Sequence, residues 1–257
     1  MRNQFYHRFR TLFRIGIIKT IIVNFRLLPI KQAIKFPIIV TRSTTLESLS
    51  GNGNISGKVG FGMIKIGTLH TELFSWNGVK SILNISGEIH LNGFTQFGVG
   101  CSIVVDKNAI LELGDNVCIG ANSKIICRNY IKIGNNYRAA WDIQIFDTNF
   151  HYIKNIEDGS VARRENKVII GNNNWFGNRS SIMPGTITND FFIAASNSLC
   201  NKDYTNLPMY SLVGGSPAKL LKNNVVRVLD KEEKELANIF EQCEDNVIYT
   251  DSKPRAR

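Results

Sequence analysis

Residues 170 to 200 read Ile170-Gly-Asn-Asn-Asn-Trp-Phe176-Gly-Asn-Arg-Ser-Ser-Ile182-Met-Pro-Gly-Thr-Ile-Thr188-Asn-Asp-Phe-Phe-Ile-Ala194-Ala-Ser-Asn-Ser-Leu-Cys200. Ile170, Phe176, Ile182, Thr188, Ala194 and Cys200 recur every six residues. Four places after the first five of these stand Asn174, Ser180, Thr186, Phe192 and Ser198, three of them with small hydroxyl side chains. Gly or Ala follows the lead residue at Gly171, Gly177 and Ala195. A period of six is neither helical nor that of a plain alternating strand. It follows if each short strand ends in a tight corner and three such sides close one coil, with lead and +4 residues pointing inward. Successive coils then stack as parallel strands about 4.8 Å apart. They bury a narrow column of Ile, Leu and Val, while Gly and Asn take the corner conformations.

The pattern extends toward the N-terminus. Leu91, Phe97 and Ile103 step by six, as do Leu113, Ile119 and Ile125, whereas Ile103 to Leu111, Val105 to Leu113 and Ile125 to Ile133 step by eight. Ile64-Lys-Ile-Gly67 and Ile85-Ser-Gly87 keep the theme in the weaker stretch 50–90. An antiparallel sandwich would instead show longer alternating strands and hairpin turns. The prediction is an all-β solenoid over 46–228, with a basic apolar segment over 1–45 before it and a helix and tail over 229–257 after it. Asp230-Lys-Glu-Glu233 reads as a helix start, and Leu236, Ile239, Phe240 and Cys243 share one face, which predicts a helix that caps or braces the column. Asp251 to Arg257 read as a frayed end.

The chain has 257 residues, 43% of them hydrophobic, which excludes global disorder, collagen and a disulfide scaffold. Its charge of +10 is unevenly placed. Of 31 basic residues, nine precede the first acid, Glu47, which leaves 22 against 21 acidic residues in the body. The arm interleaves Arg2, Arg8, Arg10, Arg14, Lys19 and Arg26 with residues such as Phe5, Phe9, Ile17, Ile18, Ile21, Ile22 and Phe25, and no uncharged run exceeds six residues. A spanning helix needs roughly 20 apolar residues and a signal peptide needs a longer apolar run, so the sequence predicts a protein on the cytoplasmic side. Two readings of residues 1–42 stand. One is an amphipathic surface lying on anionic lipid at the inner membrane face. The other is a segment whose apolar side packs on the protein's own body or a sister subunit. No base-reading motif accompanies the charge, so nucleic acid is not expected as a partner.

The five cysteines, Cys101, Cys118, Cys127, Cys200 and Cys243, show no zinc spacing and read mostly as small core residues. The four histidines, His7, His70, His90 and His151, include no helical i, i+4 pair, so no metal is expected.

The run Val168-Ile-Ile-Gly-Asn-Asn-Asn-Trp-Phe-Gly177, then Ile182-Met-Pro-Gly185, Asn201-Lys-Asp203 and Gly214-Gly-Ser-Pro-Ala-Lys219, resembles the hexapeptide-repeat acetyltransferases in order and spacing. The likeness covers roughly residues 90 to 225 and is to the branch containing galactoside and maltose O-acetyltransferases and the enzymes that acetylate capsule and O-antigen sugars. The resemblance implies a left-handed parallel β-helix, against the usual right-handed crossover, and a homotrimer with active sites between subunits. Three departures bear on the local coil shape: Asn189 stands where a corner Gly is usual, Phe192 is large for a +4 site, and Asn197 replaces Gly.

The repeat breaks off between Asp147 and Lys167 and resumes after 21 residues. Loops inserted into a rigid scaffold commonly carry binding or catalysis. This one holds His151, which matches the family's catalytic histidine; a surface-loop histidine is the plainer alternative. Acetyl transfer from a thioester to a sugar hydroxyl needs a base, and imidazole, with a reference pKa of roughly 6.5, suits that task. Asp147 either orients the His151 ring as a carboxylate does in a catalytic triad or caps a corner. The thioester is already activated, so no acyl-enzyme is needed.

Coenzyme A, as acetyl-CoA the implied donor, needs backbone hydrogen bonds for its pantetheine arm and cations for its phosphates. By motif position, Asn178 and Ser196 would face the pantetheine, Asn201 and Lys202 its adenosine end, and Lys219 and Lys222 its phosphates. Trp175 points outward, to wall the thioester channel or to pack between subunits. Trp141 and Asp142, in the coil before the loop, stand where relatives contact the acceptor sugar. Together these imply O-acetylation of a sugar in surface polysaccharide synthesis. The rival readings are acetylation of a small soluble sugar or of serine, and a non-enzymatic scaffold.

Overall fold

The computed structural model describes residues 14–69, 79–228, 230–243 and 246–250. The arm residues 1–13 with His7, the segment 70–78 with His70, and the tail Asp251 to Arg257 lie outside the described residues.

One coil shows why the sequence folds as it does. Thr95–Gly98, Ser102–Val105 and Ile110–Leu113 are three short strands separated by corners, and each pairs in parallel with the strand three places later: Val117–Ile119, Lys124–Cys127 and Tyr130–Ile133. The same stacking, between strands three and later two places apart in the chain, gives three sheets. The first face runs from Ile38–Val40 to Leu212–Gly214, the second from Thr45–Ser48 to Leu199–Cys200, and the third from Asn52–Ile55 to Val168–Ile170. Single parallel bridges carry the third face on from Ile169 to Ile187 and Asp203. Mostly parallel pairing in three faces fits a β-helix and excludes an antiparallel sandwich. The named strands contain one antiparallel pair, where Lys219–Lys222 folds back on Leu212–Gly214 and closes the first face.

Side chains alternate in and out along each strand, so one apolar row per strand fills the centre. Ile170, Phe176, Ile182, Thr188, Ala194 and Cys200 are all buried, and so are Asn174, Ser180, Thr186, Phe192 and Ser198 at the +4 places. Each inward aliphatic side chain contributes about 1.5–3 kcal/mol by leaving water. The inward hydroxyls are satisfied within the wall: Ser180 Oγ donates to Gly177 O at 2.8 Å and Thr186 Oγ1 to Met183 O at 2.7 Å.

Corners take left-handed backbone at Asn116, Asn122, Asn136, Asn173 and Asn197, and also at Arg179 and Phe191. Asparagine tolerates that region because its short amide bonds locally. Here the amides also bond between coils, Asn116 Nδ2 to Asn136 Oδ1 at 2.8 Å and Asn136 Nδ2 to Asn173 Oδ1 at 3.1 Å. The three departures leave the coil shape intact. Asn197 takes a φ of 59°. Asn189 Nδ2 donates to Leu207 O at 2.7 Å. Phe192 lies inside, its ring 5.9 Å from Phe176 and 5.4 Å from Tyr204.

Two expectations about the ends need correction. Strand Ile38–Val40 already belongs to the first face, so the sheet begins inside the segment assigned to the arm. The C-terminal helix forms over Asp230–Phe240, where Leu236 is half-buried but Ile239 and Phe240 are exposed, so only part of its apolar side is covered. The antiparallel strand Lys219–Lys222 already covers that end of the first face.

At the other end, the helix Ile17–Leu27 buries Thr20, Val23, Asn24 and Leu27 against the first coil. Its side chains and that of Gln32, in the short helix Ile30–Ala33 that follows, bond backbone groups in or next to the first strand of each face. Asn24 bonds both Ile38 N and Ile38 O, Lys19 Nζ donates to Thr44 O at 2.6 Å, and Gln32 bonds Ile55 N and O at 3.0 and 2.8 Å. No helix of the described residues is long and apolar enough to cross a membrane.

Candidate active site

The interruption predicted at 147–167 forms an antiparallel arm leaving the corner between the second and third faces. Thr148 bridges Glu165 and Lys154 bridges Val161, while Asn149 N donates to Arg164 O and Asn155 N to Ser160 O, both at 2.8 Å. Asp147 anchors its base. The buried carboxylate accepts from Arg128 N at 2.8 Å and Asn129 N at 2.7 Å, with Cys127 Sγ 3.6 Å away. Burial pushes this carboxyl above the usual carboxylate range, and the two backbone N–H groups oppose that shift. Of the two readings of Asp147, the bond to the His151 ring is not made in this structure. Both oxygens of Asp147 point back to the previous coil, whose corner 127–129 would otherwise hold unpaired N–H groups, so its contacts are those of a corner cap.

His151 is exposed, with its backbone N donating to Asn149 O at 2.7 Å, and its ring has no hydrogen-bond partner among the described residues. Its neighbours hold it. Phe150, at a φ of 63°, packs edge-on to Phe146 with centroids 5.7 Å apart, and the Arg128 guanidinium lies 5.6 Å from its ring. Arg164 donates to Phe150 O at 3.4 Å, lies 5.1 Å from the Tyr152 ring and pairs with Glu165. The sequence reading missed Arg128, Phe146, Phe150 and Arg164. Arg128 and Phe150 meet because coils stack, and no local motif announces that.

Trp141, Asn178 and Ser196 occupy the corner between the first and second faces in three successive coils. Arg179 N donates to Trp141 O at 3.1 Å, Asn197 N to Asn178 O at 2.9 Å, and Ser196 Oγ to Asn178 Oδ1 at 2.6 Å. The spacing is tight: a Cβ at Gly177 would fall 2.6 Å from Ser196 N. Asp142, next to Trp141, accepts from Asn122 Nδ2 at 2.5 Å. Trp175 faces outward on the first face, 39% exposed, in register with Arg138 and Ile193. Asn201 and Lys202 are exposed at the corner from which the His151 arm leaves, with Lys202 Nζ 5.4 Å from the Tyr204 ring. Lys219 and Lys222 are exposed on the closing strand.

Six of the candidates thus fall into two rows, Trp141 with Asn178 and Ser196 at one corner and His151 with Asn201 and Lys202 at another, with the second face between them, while Trp175 lies on the first face and Lys219 and Lys222 on its closing strand. Burial pushes the Cys101 and Cys200 thiols up to about 12 and raises that of Cys127 as well, which keeps all three protonated and unsuited to attack. Among the described residues no three His, Cys, Asp or Glu side chains converge as metal ligands.

No family model matches the chain. Over 144 residues, 53% of this chain and 72% of the relative, it is 24% identical to an Escherichia coli (strain K12) protein described as a lipopolysaccharide biosynthesis O-acetyl transferase, WbbJ. Over 60 residues it is 40% identical to the chloramphenicol acetyltransferase of Morganella morganii, a match of 23% of this chain and 27% of the relative. The fold is similar to that of the polySia specific acetyltransferase NeuO, with a TM-score of 0.52 at 18% identity over 79% of this chain and 89% of that one. By its motifs, its three parallel faces and these relatives together, the chain is similar to the hexapeptide-repeat acetyltransferases.

Proposed function

We propose that this chain transfers acetyl from acetyl-CoA to a sugar hydroxyl in surface polysaccharide synthesis, as a left-handed β-helix assembled in trimers. The observation that carries the reading is His151, presented to solvent on an arm that is braced from both sides and inserted between the second and third faces. The description of the Escherichia coli relative supports a glycan acceptor. The two rows of candidates lie at different corners of one subunit, and a trimer reconciles this by setting one corner of a subunit against the other corner of its neighbour.

In this reading His151 takes the proton of the acceptor hydroxyl as its oxygen attacks the thioester carbonyl carbon. A backbone N–H steadies the oxyanion. As the oxyanion collapses the C–S bond breaks, and the imidazolium returns its proton to the leaving thiolate. Asn178 and Ser196 line the pantetheine arm, Asn201 and Lys202 meet the adenosine end, and Lys219 and Lys222 meet the phosphates. Trp175 walls the channel, while Trp141 and Asp142 face the acceptor. Asp147 keeps the arm seated on the column.

Calorimetric titration with coenzyme A in moderate salt tests the donor. Saturable binding that falls about tenfold in Lys219→Ala/Lys222→Ala is expected, because each phosphate contact is a charge-assisted bond. Absence of saturable binding overturns the proposal and leaves a non-enzymatic scaffold as the better account.

A further inference from the structure

The helix Ile17–Leu27 buries one side and leaves an apolar side outward. Thr20, Val23, Asn24 and Leu27 face the first coil, at the i, i+3, i+4, i+7 spacing of one buried stripe. The opposite side, which water would ordinarily meet with polar residues, carries Ile17, Ile18, Ile21, Ile22 and Phe25, with Ile18 74% and Ile17 67% exposed. The apolar surface continues beyond the helix. Phe25 packs edge-on to Phe36 at 5.9 Å, Phe36 O accepts from Gly62 N, and the adjoining Phe61 is 76% exposed. Ile30 and Ile34, at 62% and 58% exposed, extend it along the next turn of chain. Beside Ile17 and Ile18 lies a groove of about 480 Å³ that also touches Gly16, Lys19 and Arg42.

Its rim is basic. Arg26, Lys31, Lys35 and Lys58 are exposed around the apolar residues, and no Asp or Glu occurs before Glu47. Lys19 is already occupied, donating to Arg42 O and Thr44 O. We propose that this face docks on an anionic lipid bilayer, with the isoleucines and phenylalanines entering the headgroup boundary and the basic rim meeting lipid phosphates. The charge distribution selects this occupant over a second copy of the chain. Two copies face to face would set like charges together with no acid in the segment to pair with them, whereas an anionic surface neutralises the rim while the centre leaves water. The face lies at the opposite end of the first sheet from Lys219 and Lys222, so docking leaves the candidate site uncovered.

Co-sedimentation of the full chain with vesicles tests the proposal, comparing phosphatidylcholine alone with phosphatidylcholine containing a quarter phosphatidylglycerol. Wild type is expected to bind the anionic vesicles and to leave the neutral ones. Binding should fall at least tenfold in Ile18→Glu/Ile22→Glu and about tenfold in Lys31→Ala/Lys35→Ala. All four side chains are exposed, so unfolding midpoints should match wild type; if the glutamate pair misfolds, the alanine pair decides. Failure of wild type to bind anionic vesicles, or unchanged binding by the folded variants, overturns the proposal. So does a lipid-free assembly that Ile18→Glu/Ile22→Glu breaks apart in sedimentation velocity, because the face would then join copies of the chain.

Discussion

Asn24 pairs with Ile38 as a neighbouring strand would: its Oδ1 accepts from Ile38 N at 3.1 Å and its Nδ2 donates to Ile38 O at 2.7 Å. Ile38 opens the first strand of a parallel sheet, so without the amide its N–H and C=O would be buried and unpaired. A stack of parallel strands also invites further strands at its edge. Helix and side chain together end the stack. Asn24→Ala is expected to lower stability on the order of 2–5 kcal/mol, the cost of two orphaned backbone groups. Urea unfolding measures the loss, and light scattering should show a rise in self-association.

Asp147 should leave a pH signature. Burial raises its folded-state pKa, so between the unfolded and folded values the native state holds a proton that the unfolded state has released. This contribution is therefore fully present below the ordinary carboxylate value and is lost as pH rises through the folded one. Asp147→Asn removes it, so the difference in stability between wild type and variant should narrow with rising pH across that window. Paired unfolding curves at several pH values give the slope, and an opposite sign would mean that the two backbone N–H groups outweigh burial.

His151→Ala should cut acetyl transfer by about 10²–10⁴ while coenzyme A binding stays near wild type. Phe150→Ala should lower kcat with little change in the donor KM, because Phe150 positions the arm between Phe146 and Arg128 and touches no substrate in this reading. Steady-state kinetics with acetyl-CoA separates the two effects.

Phe192 links Phe176 to Tyr204 inside the column, at 5.9 and 5.4 Å between rings. Phe192→Ala should cost about 3–5 kcal/mol in thermal or denaturant unfolding, because neighbouring coils fixed by backbone bonding cannot close on the cavity.

The hexad from Ile170 to Cys200 was enough to write down the coil, the inward rows and the corners, because a period of six is a property of the chain before it folds. The inserted arm and His151 were legible for the same reason, as a break in that period. The use of Asp147 was legible only as two alternatives, partner of His151 or corner cap, and the stack shows its oxygens bonding the corner one coil earlier. The tolerance for Phe192 or Phe191 was not legible, since room for a large side chain depends on its neighbours above and below. The C-terminal helix was visible in sequence, but its exposed Ile239 and Phe240 were not, because a helical stripe specifies a face and says nothing about what meets it.

The sequence by itself thus determined the period, the coil and the position of the break, all of them local and set by steric and solvation preferences along the chain. Tertiary structure alone decided that the helix sets Asn24 against Ile38, and which residues meet across coils: Arg128 with Phe150 and Asp147 with Asn129. Those contacts depend on the register between strands roughly twenty residues apart, which is fixed only when backbone hydrogen bonds and inward packing form together.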